Sequence, residues 1–270
     1  MNEEKSTTQT EHQEAIISLL LQLADDDFIF SFRGSEWLGL APHIEEDVAS
    51  ASISQDMMGH AAMFYKLAEG LGLDAADELA HGRAAGERRN SILVERVNGE
   101  GSYMGTPTYD WAYAVVRNYF YSQAKKVKID SLKTSAYAPL AEVATKVNME
   151  LYYHLLHWKT WFTQLLSSTD EAKEKMNDAI QAVMADFGDV FSYGEDASRI
   201  QEAGLIEEEG VLYQRWVEKM EPVLQSVGVS SEQLSVACTQ NGRNKEHTTE
   251  LESAIATLSE VYRSDLTASW

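Results

Sequence analysis

The spacing of apolar residues along this chain is helical almost throughout. From Glu11 to about Arg33 they recur one turn apart (Ala15, Leu19, Leu23, then Phe28 and Phe32), and Gly39 with Pro42 closes the segment. A first helix is therefore predicted over about 11–38, preceded by a polar, featureless stretch, residues 1–10, expected to be a disordered tail. From Ile44 to Glu69 there is no strand-like alternation and no breaker except Gly59. Asp56 is the only formal charge between Val48 and Tyr65, which predicts a second helix buried around much of its circumference.

A turn-rich stretch follows, from Gly70 and Gly72 through His81, Gly82 and Gly86 to Asn98–Pro107 (NGEGSYMGTP). It is far longer than a helix hairpin needs. A third helix is predicted from Tyr109 to about Asp130 and a fourth from Pro139, at home in a first helical turn, to about Leu166. In the fourth, Leu140, Val143, Val147, Leu151, His154, Trp158 and Trp161 form one stripe, so His154 points inward. Thr169 opens a further helix with acidic residues in its first turn, ending near Gly194. Shorter helices fill the rest, broken at Gly204, Gly210, Gly228 and Gly242, and the last runs from about Glu246 to Arg263. No alternating Val/Ile/Thr runs are bounded by tight turns, so no sheet is expected. The fold class is all-α: a ferritin-like four-helix bundle with a long crossover between its second and third helices and C-terminal helices packed outside it, a single domain over 11–270.

Composition narrows the function. With 22 Lys+Arg against 43 Asp+Glu the formal charge is −21, which repels phosphate backbones and anionic membranes, so neither nucleic acid nor a membrane is an expected partner. No apolar run approaches the roughly 20 residues of a membrane-spanning helix, and no secretory signal is recognisable; the expected location is the cytoplasm. Cys238 is the only cysteine, which excludes an intrachain disulfide and a Cys-x-x-Cys motif. No Gly-x-Gly-x-x-Gly or Walker loop occurs.

The candidate chemistry lies in two stretches, SQDMMGHAAMFY (54–65) and NMELYYHLLHWKTWF (148–162). A di-iron carboxylate bundle takes a Glu from each of two helices and a Glu-x-x-His pair from each of the other two, because four carboxylates neutralise two ferrous ions while the imidazoles complete them. Here Met57 and Leu151 stand three residues before His60 and His154, where the glutamates belong. The third helix has no Asp or Glu from Trp111 to Ile129. Only Glu36, near the end of the first helix, is a plausible surviving carboxylate. Asp56 and Glu150, each four residues before a histidine, permit a residual mononuclear site built from Glu36, Asp56, His60, Glu150 and His154. The preferred reading makes these hydrogen-bonded polar residues inside the bundle, with Arg117, Lys125 or Lys126 reaching the former metal position, since a buried acid without metal needs a cationic partner. His43 and His157 read as structural groups, and nothing near His12, His81 or His247 suggests chemistry. The aromatics of the third helix (Trp111, Tyr113, Tyr119, Phe120, Tyr121) read as packing. Arg33, Arg88 and Arg89 are weak candidates for contact with an acidic partner or a phosphate.

These motifs resemble a family. Residues 30–72, from FSFRGSEW to AEGLG, look like the N-terminal half of the C subunit of bacterial phenylacetyl-CoA epoxidase. The likeness continues through VERVNGEG, the Tyr119–Phe120 pair, Glu150 with His154, and a tail carrying Gly242, His247–Thr248, Leu251 and Trp270. The resemblance implies a C subunit that lacks a working metal centre and that binds and stabilises a paralogous catalytic A subunit. The A subunit's Gln-Asp-Glu-x-Gly-His string maps onto Gln55–His60 and its Glu-Glu-x-x-His onto Glu150–His154, which locates the lost glutamates at Met57 and Leu151. The acid-bearing N-terminus and His60 depart from the C-subunit pattern. The expectation is a catalytically inactive subunit of an oxygenase complex, with no catalytic, cofactor-binding or metal-binding residues of its own and di-iron in the A subunit. Its expected partners are that subunit and other components including a reductase, with a homodimer possible in isolation. The alternative is a self-sufficient metal-dependent oxidase using the residual carboxylate/His site.

Overall fold

A computed structural model describes the backbone of residues 2–236 and 238–268 and the side chains from residue 10 onward; Trp270 and the side chains of most of the expected tail thus fall outside the described residues. The fold is all-α. The core is formed by α1 (Asn2–Ser35), α2 (Ile44–Gly70), α4 (Trp111–Leu132) and α5 (Ala138–Leu166), with the short α3 (Ile92–Glu95) inside the crossover. The backbone is helical from Asn2, continuous with the rest of α1. Around the core lie α6 (Asp170–Ala185), α7 (Ala197–Glu202), α8 (Glu209–Ser226), α9 (Thr249–Leu258) and α10 (Glu260–Ser264). Local chemistry explains the helix starts. Asp110 accepts from the amides of Ala112 and Tyr113 to cap α4, and Thr169 caps α6 through the amide of Ala172.

Three expectations need correction. The crossover carries a two-residue antiparallel ladder, Gly99–Glu100 against Thr108–Tyr109, too short to register as alternation. Its turn depends on Gly101, whose φ is +81° and whose Cβ, were there one, would stand 2.3 Å from the Thr106 carbonyl oxygen. The helix begun at Thr169 ends at Ala185, not near Gly194, because residues 186–193 instead bind other segments: Asp189 accepts from the amides of Ile92 and Gly242. The last helix is two, α9 and α10, divided at the buried Ser259.

Three consecutive aspartates on α1 explain how the crossover and the C-terminal segment are fastened to the bundle. Asp25, Asp26 and Asp27 are all buried, and each has its own cation. Asp25 holds Arg83 and Arg88 and accepts the Tyr65 hydroxyl (2.5 Å). Asp26 takes the guanidinium fork of Arg243 (2.7 and 2.9 Å), with Lys128 at 3.5 Å, and Asp27 takes Lys125 (2.7 Å). Burial opposes ionisation of all three. For Asp25 and Asp26 the facing cations outweigh it and hold the carboxyls below the usual range; for Asp27 burial wins and its pKa is pushed up to about 6.

The motif residues of the crossover and tail also meet in space. Gly242 sits so close to the crossover that a Cβ would lie 2.0 Å from the Asn90 carbonyl oxygen. His247 contacts Glu95 through Nδ1 (2.9 Å) and the Arg88 carbonyl through Nε2 (2.9 Å). Both partners are acceptors, so both ring nitrogens carry protons. Burial disfavours that cation, but Glu95 and the carbonyl overcome it and raise the pKa. A histidine whose folded pKa is raised stabilises fully below its unfolded value of about 6.5 and loses that contribution as pH rises through the folded value. The stability gap between the wild type and His247→Ala, measured by urea unfolding, is expected to be larger at pH 6 than at pH 9.

Candidate functional site

The antiparallel packing of α2 against α5 brings the two histidine motifs together in crossed pairs. His60 Nε2 lies 2.5 Å from Glu150 Oε2, and His154 Nε2 lies 2.9 Å from Asp56 Oδ2. Each carboxylate, four residues before a histidine on its own helix, thus serves the histidine of the other. The imidazole centroids are 6.2 Å apart, and both rings are buried while Asp56 and Glu150 reach solvent. Met57 and Leu151 belong to the buried apolar core.

Behind His60 stands Lys125 of α4. Its Nζ is 2.8 Å from His60 Nδ1 and 2.7 Å from Asp27 Oδ1, joining α1, α2 and α4 in one buried contact. This geometry fixes the imidazole. Nδ1 accepts from the ammonium, so Nε2 carries the proton and donates it to Glu150. The ring is neutral: burial first, then the charge of Lys125, depress its pKa strongly. His154 is pushed the same way by burial, against the pull of Asp56, so both pairs are imidazole–carboxylate hydrogen bonds and not ion pairs. Burial also lowers the pKa of Lys125, with Asp27 opposing it, and raises that of Glu150, to which the neighbouring charge of Asp56 adds.

The remaining candidates are placed elsewhere. Glu36 lies past the end of α1, paired with Arg33 (3.2 Å) and Asn98 (2.9 Å), away from the histidines. The acid of α1 that meets the motif is Asp27, which sequence reasoning missed. No sequence signal singled it out, because the pairing depends on how α1 and α2 are set against each other, with Asp25 meeting Tyr65 and Asp27 reaching Lys125 beside His60. Arg117 does not reach the motif; it binds the carbonyl of Arg96 and Asn98 in the crossover. Lys126 pairs with Asp130. Arg33, Arg88 and Arg89 face internal partners, Glu95, Asp25 and Asp196 among them. His157 lies beside Glu46 and His43 stacks on Trp161. The α4 aromatics pack: Tyr119 and Phe120 meet Phe162, and Trp216 of α8 donates to the Phe120 carbonyl.

A di-iron cluster does not fit this donor set. A lysine ammonium, which repels a cation, occupies the position between Asp27 and His60, and the facing atoms of the other four groups are spent on one another. Among the described residues no three His, Cys, Asp or Glu side chains gather as a metal-binding group. No helix among them is long and apolar enough to cross a membrane.

Comparison with known proteins agrees with this architecture. A family model described as "Phenylacetic acid catabolic protein" matches residues 1–270. The chain is 30% identical over 197 residues to the C subunit of the 1,2-phenylacetyl-CoA epoxidase of Escherichia coli (strain K12), an alignment covering 73% of this chain and 75% of that protein.

Proposed function

The chain belongs to the family of phenylacetic acid catabolic proteins, and from that membership we propose that it is a structural, non-catalytic subunit of a multicomponent phenylacetyl-CoA epoxidase. In this role it binds and stabilises the di-iron A subunit in the cytoplasm. Iron, oxygen activation and the electrons delivered by a reductase component belong to other subunits. The observation that carries the non-catalytic assignment is the Asp27–Lys125–His60 contact. It sets an ammonium where a di-iron bundle needs a carboxylate, while α4 offers no acidic side chain before Asp130.

The test is to purify the chain alone and with the A subunit of the same organism, then measure iron content and epoxidation of phenylacetyl-CoA. The expected result is neither stoichiometric iron nor turnover in the chain alone, and turnover in the pair. Stoichiometric iron with activity in the chain alone would overturn the proposal. Met57→Glu with Leu151→Glu is expected not to create a two-iron site, because Lys125 remains. Two bound irons in that double variant would refute the role assigned to α4.

A further inference from the structure

The single charge between Val48 and Tyr65 predicts burial around much of the circumference of α2, yet one face is bare. Val48, Ser52, Gln55, Gly59 and Ala62 are exposed. Beside them on α5 stand Met149 (65% exposed), Tyr152 (63%), Tyr153 (70%) and Leu156 (54%), with Ile44 (75%) at the start of α2. These belong to one surface, because the antiparallel register that sets Glu46 by His157 and His60 by Glu150 runs the two helices alongside each other throughout this stretch. Tyr152 and Tyr153 pack edge to face, 5.3 Å between centroids, and both stay largely exposed. Most outer helices lie on other sides of the bundle: α8 packs on α4, α7 and α9 on α1, and α6 chiefly on α4 with a smaller contact to α5. Contiguous exposed apolar surface of this kind marks an interaction site.

The charges on this face select its occupant. Asp56 and Glu150 open onto it, 36% and 48% exposed, and among the described residues neither forms an ion pair with lysine or arginine. Both imidazoles behind them are neutral. Lys125, whose charge bears on Glu150, is held by Asp27. The raised pKa of Glu150 reflects burial and then repulsion by Asp56. Self-association through this face would set the same two acids of a second copy nearby, between chains that each carry a formal charge of −21.

We infer that the α2/α5 face docks a different helical chain, which lays an apolar surface across Val48, Tyr152, Tyr153 and Leu156 and sets an arginine or lysine against Asp56 and Glu150. The inference rests on the reading of this protein as a subunit of an assembly, and adds the surface through which it assembles. The scarcity of charge between Val48 and Tyr65 is then explained by burial against a partner. Gly59, where an added Cβ would meet nothing within 4 Å, leaves room for close approach of a partner helix.

The test uses the full chain and the A subunit of the same organism, with affinity measured at low and moderate salt. Tyr152→Glu with Leu156→Glu alters only exposed positions; Val261→Glu on α10, also exposed, is the control. The wild type and the control are expected to form a salt-sensitive complex, and the double variant to bind on the order of 100-fold more weakly with an unchanged unfolding transition. If the double variant does not fold, Tyr153→Lys gives the same readout. Wild-type affinity in these variants overturns the surface and leaves the subunit reading standing. No binding by the wild type removes both. A wild-type homodimer abolished by the double variant, without binding to A, assigns the face to a second copy and overturns the choice of a different chain.

Discussion

Lys125→Ala is expected to destabilise the protein by about 3–5 kcal/mol at pH 8, the range for removing one partner of a buried ion pair. The substitution strips Asp27 of its only ion-pair partner among the described residues and takes the donor from His60 Nδ1. Asp27 has no easy substitute, because its Oδ2 already lacks a hydrogen-bond partner. The loss depends on pH in a definite direction. Asp27 has a raised folded pKa of about 6 even with the ammonium beside it, and without the ammonium it rises further. A carboxyl whose folded pKa is raised is penalised above that value and relieved by protonation below it, so the cost of Lys125→Ala is expected to shrink between pH 8 and pH 5. Asp27→Asn in the Lys125→Met background is expected to recover much of the loss, since it removes the stranded charge and keeps the volume. Urea unfolding of the three variants at pH 5 and pH 8 checks this. A loss below about 1 kcal/mol at pH 8, or one that grows on acidification, would show that Lys125 is not the cation on which Asp27 depends.

Lys125 and Asp27 also mark the boundary between what sequence alone disclosed and what it did not. The bundle was legible because its four long helices carry uninterrupted apolar stripes: Leu140, Val143, Val147, Leu151, His154 and Trp158 of α5 are all buried. The loss of carboxylates at Met57, Leu151 and along α4 was legible too, since it is a matter of residue type at fixed spacing. The partner of each surviving polar group was not. That required register between helices: Glu36 stands out because it ends the first helix within a recognisable motif, whereas Asp27 is one of three adjacent acids. The charge-poor stretch of α2 between Val48 and Tyr65 misled for a different reason. Lack of charge signals contact with apolar surface, but a sequence does not say whether that surface is its own core or another chain's. Nothing near His247 in the sequence suggests chemistry, because its two acceptors, Glu95 and the Arg88 carbonyl, lie more than 150 positions away.

Arg243→Ala is expected to cost as much as the loss of Lys125, about 3–5 kcal/mol, and to act first on the C-terminal third. Arg243 is 2% exposed, within the short turn Gly242–Asn244. Its fork grips both oxygens of Asp26, and Nη1 also donates to the Arg89 carbonyl (2.8 Å), so one side chain ties the C-terminal turn to α1 and the crossover. Removing it leaves the Asp26 carboxylate buried with Lys128 at 3.5 Å, the amide and hydroxyl of Ser91 and the Tyr121 hydroxyl as its remaining partners. Lys128 is a weaker counter-ion, because burial already depresses its own pKa to about 8. Arg243→Lys is expected to restore less than half of the loss, since an ammonium cannot reproduce two parallel hydrogen bonds to one carboxylate and still reach the crossover. The segment from about residue 241 onward is otherwise fastened chiefly by Asp189 on the Gly242 amide, Glu95 on His247 and Thr248, and Glu250 on Arg96 and the Val97 amide, none of them a fully buried guanidinium fork. Its release is therefore expected before the bundle opens, as faster amide exchange in α9 and proteolytic cleavage near residues 235–241 under conditions where α1 and α4 stay protected. Equal acceleration of exchange in α4 and α9 would mean that Arg243 supports the whole bundle and not the C-terminal segment in particular.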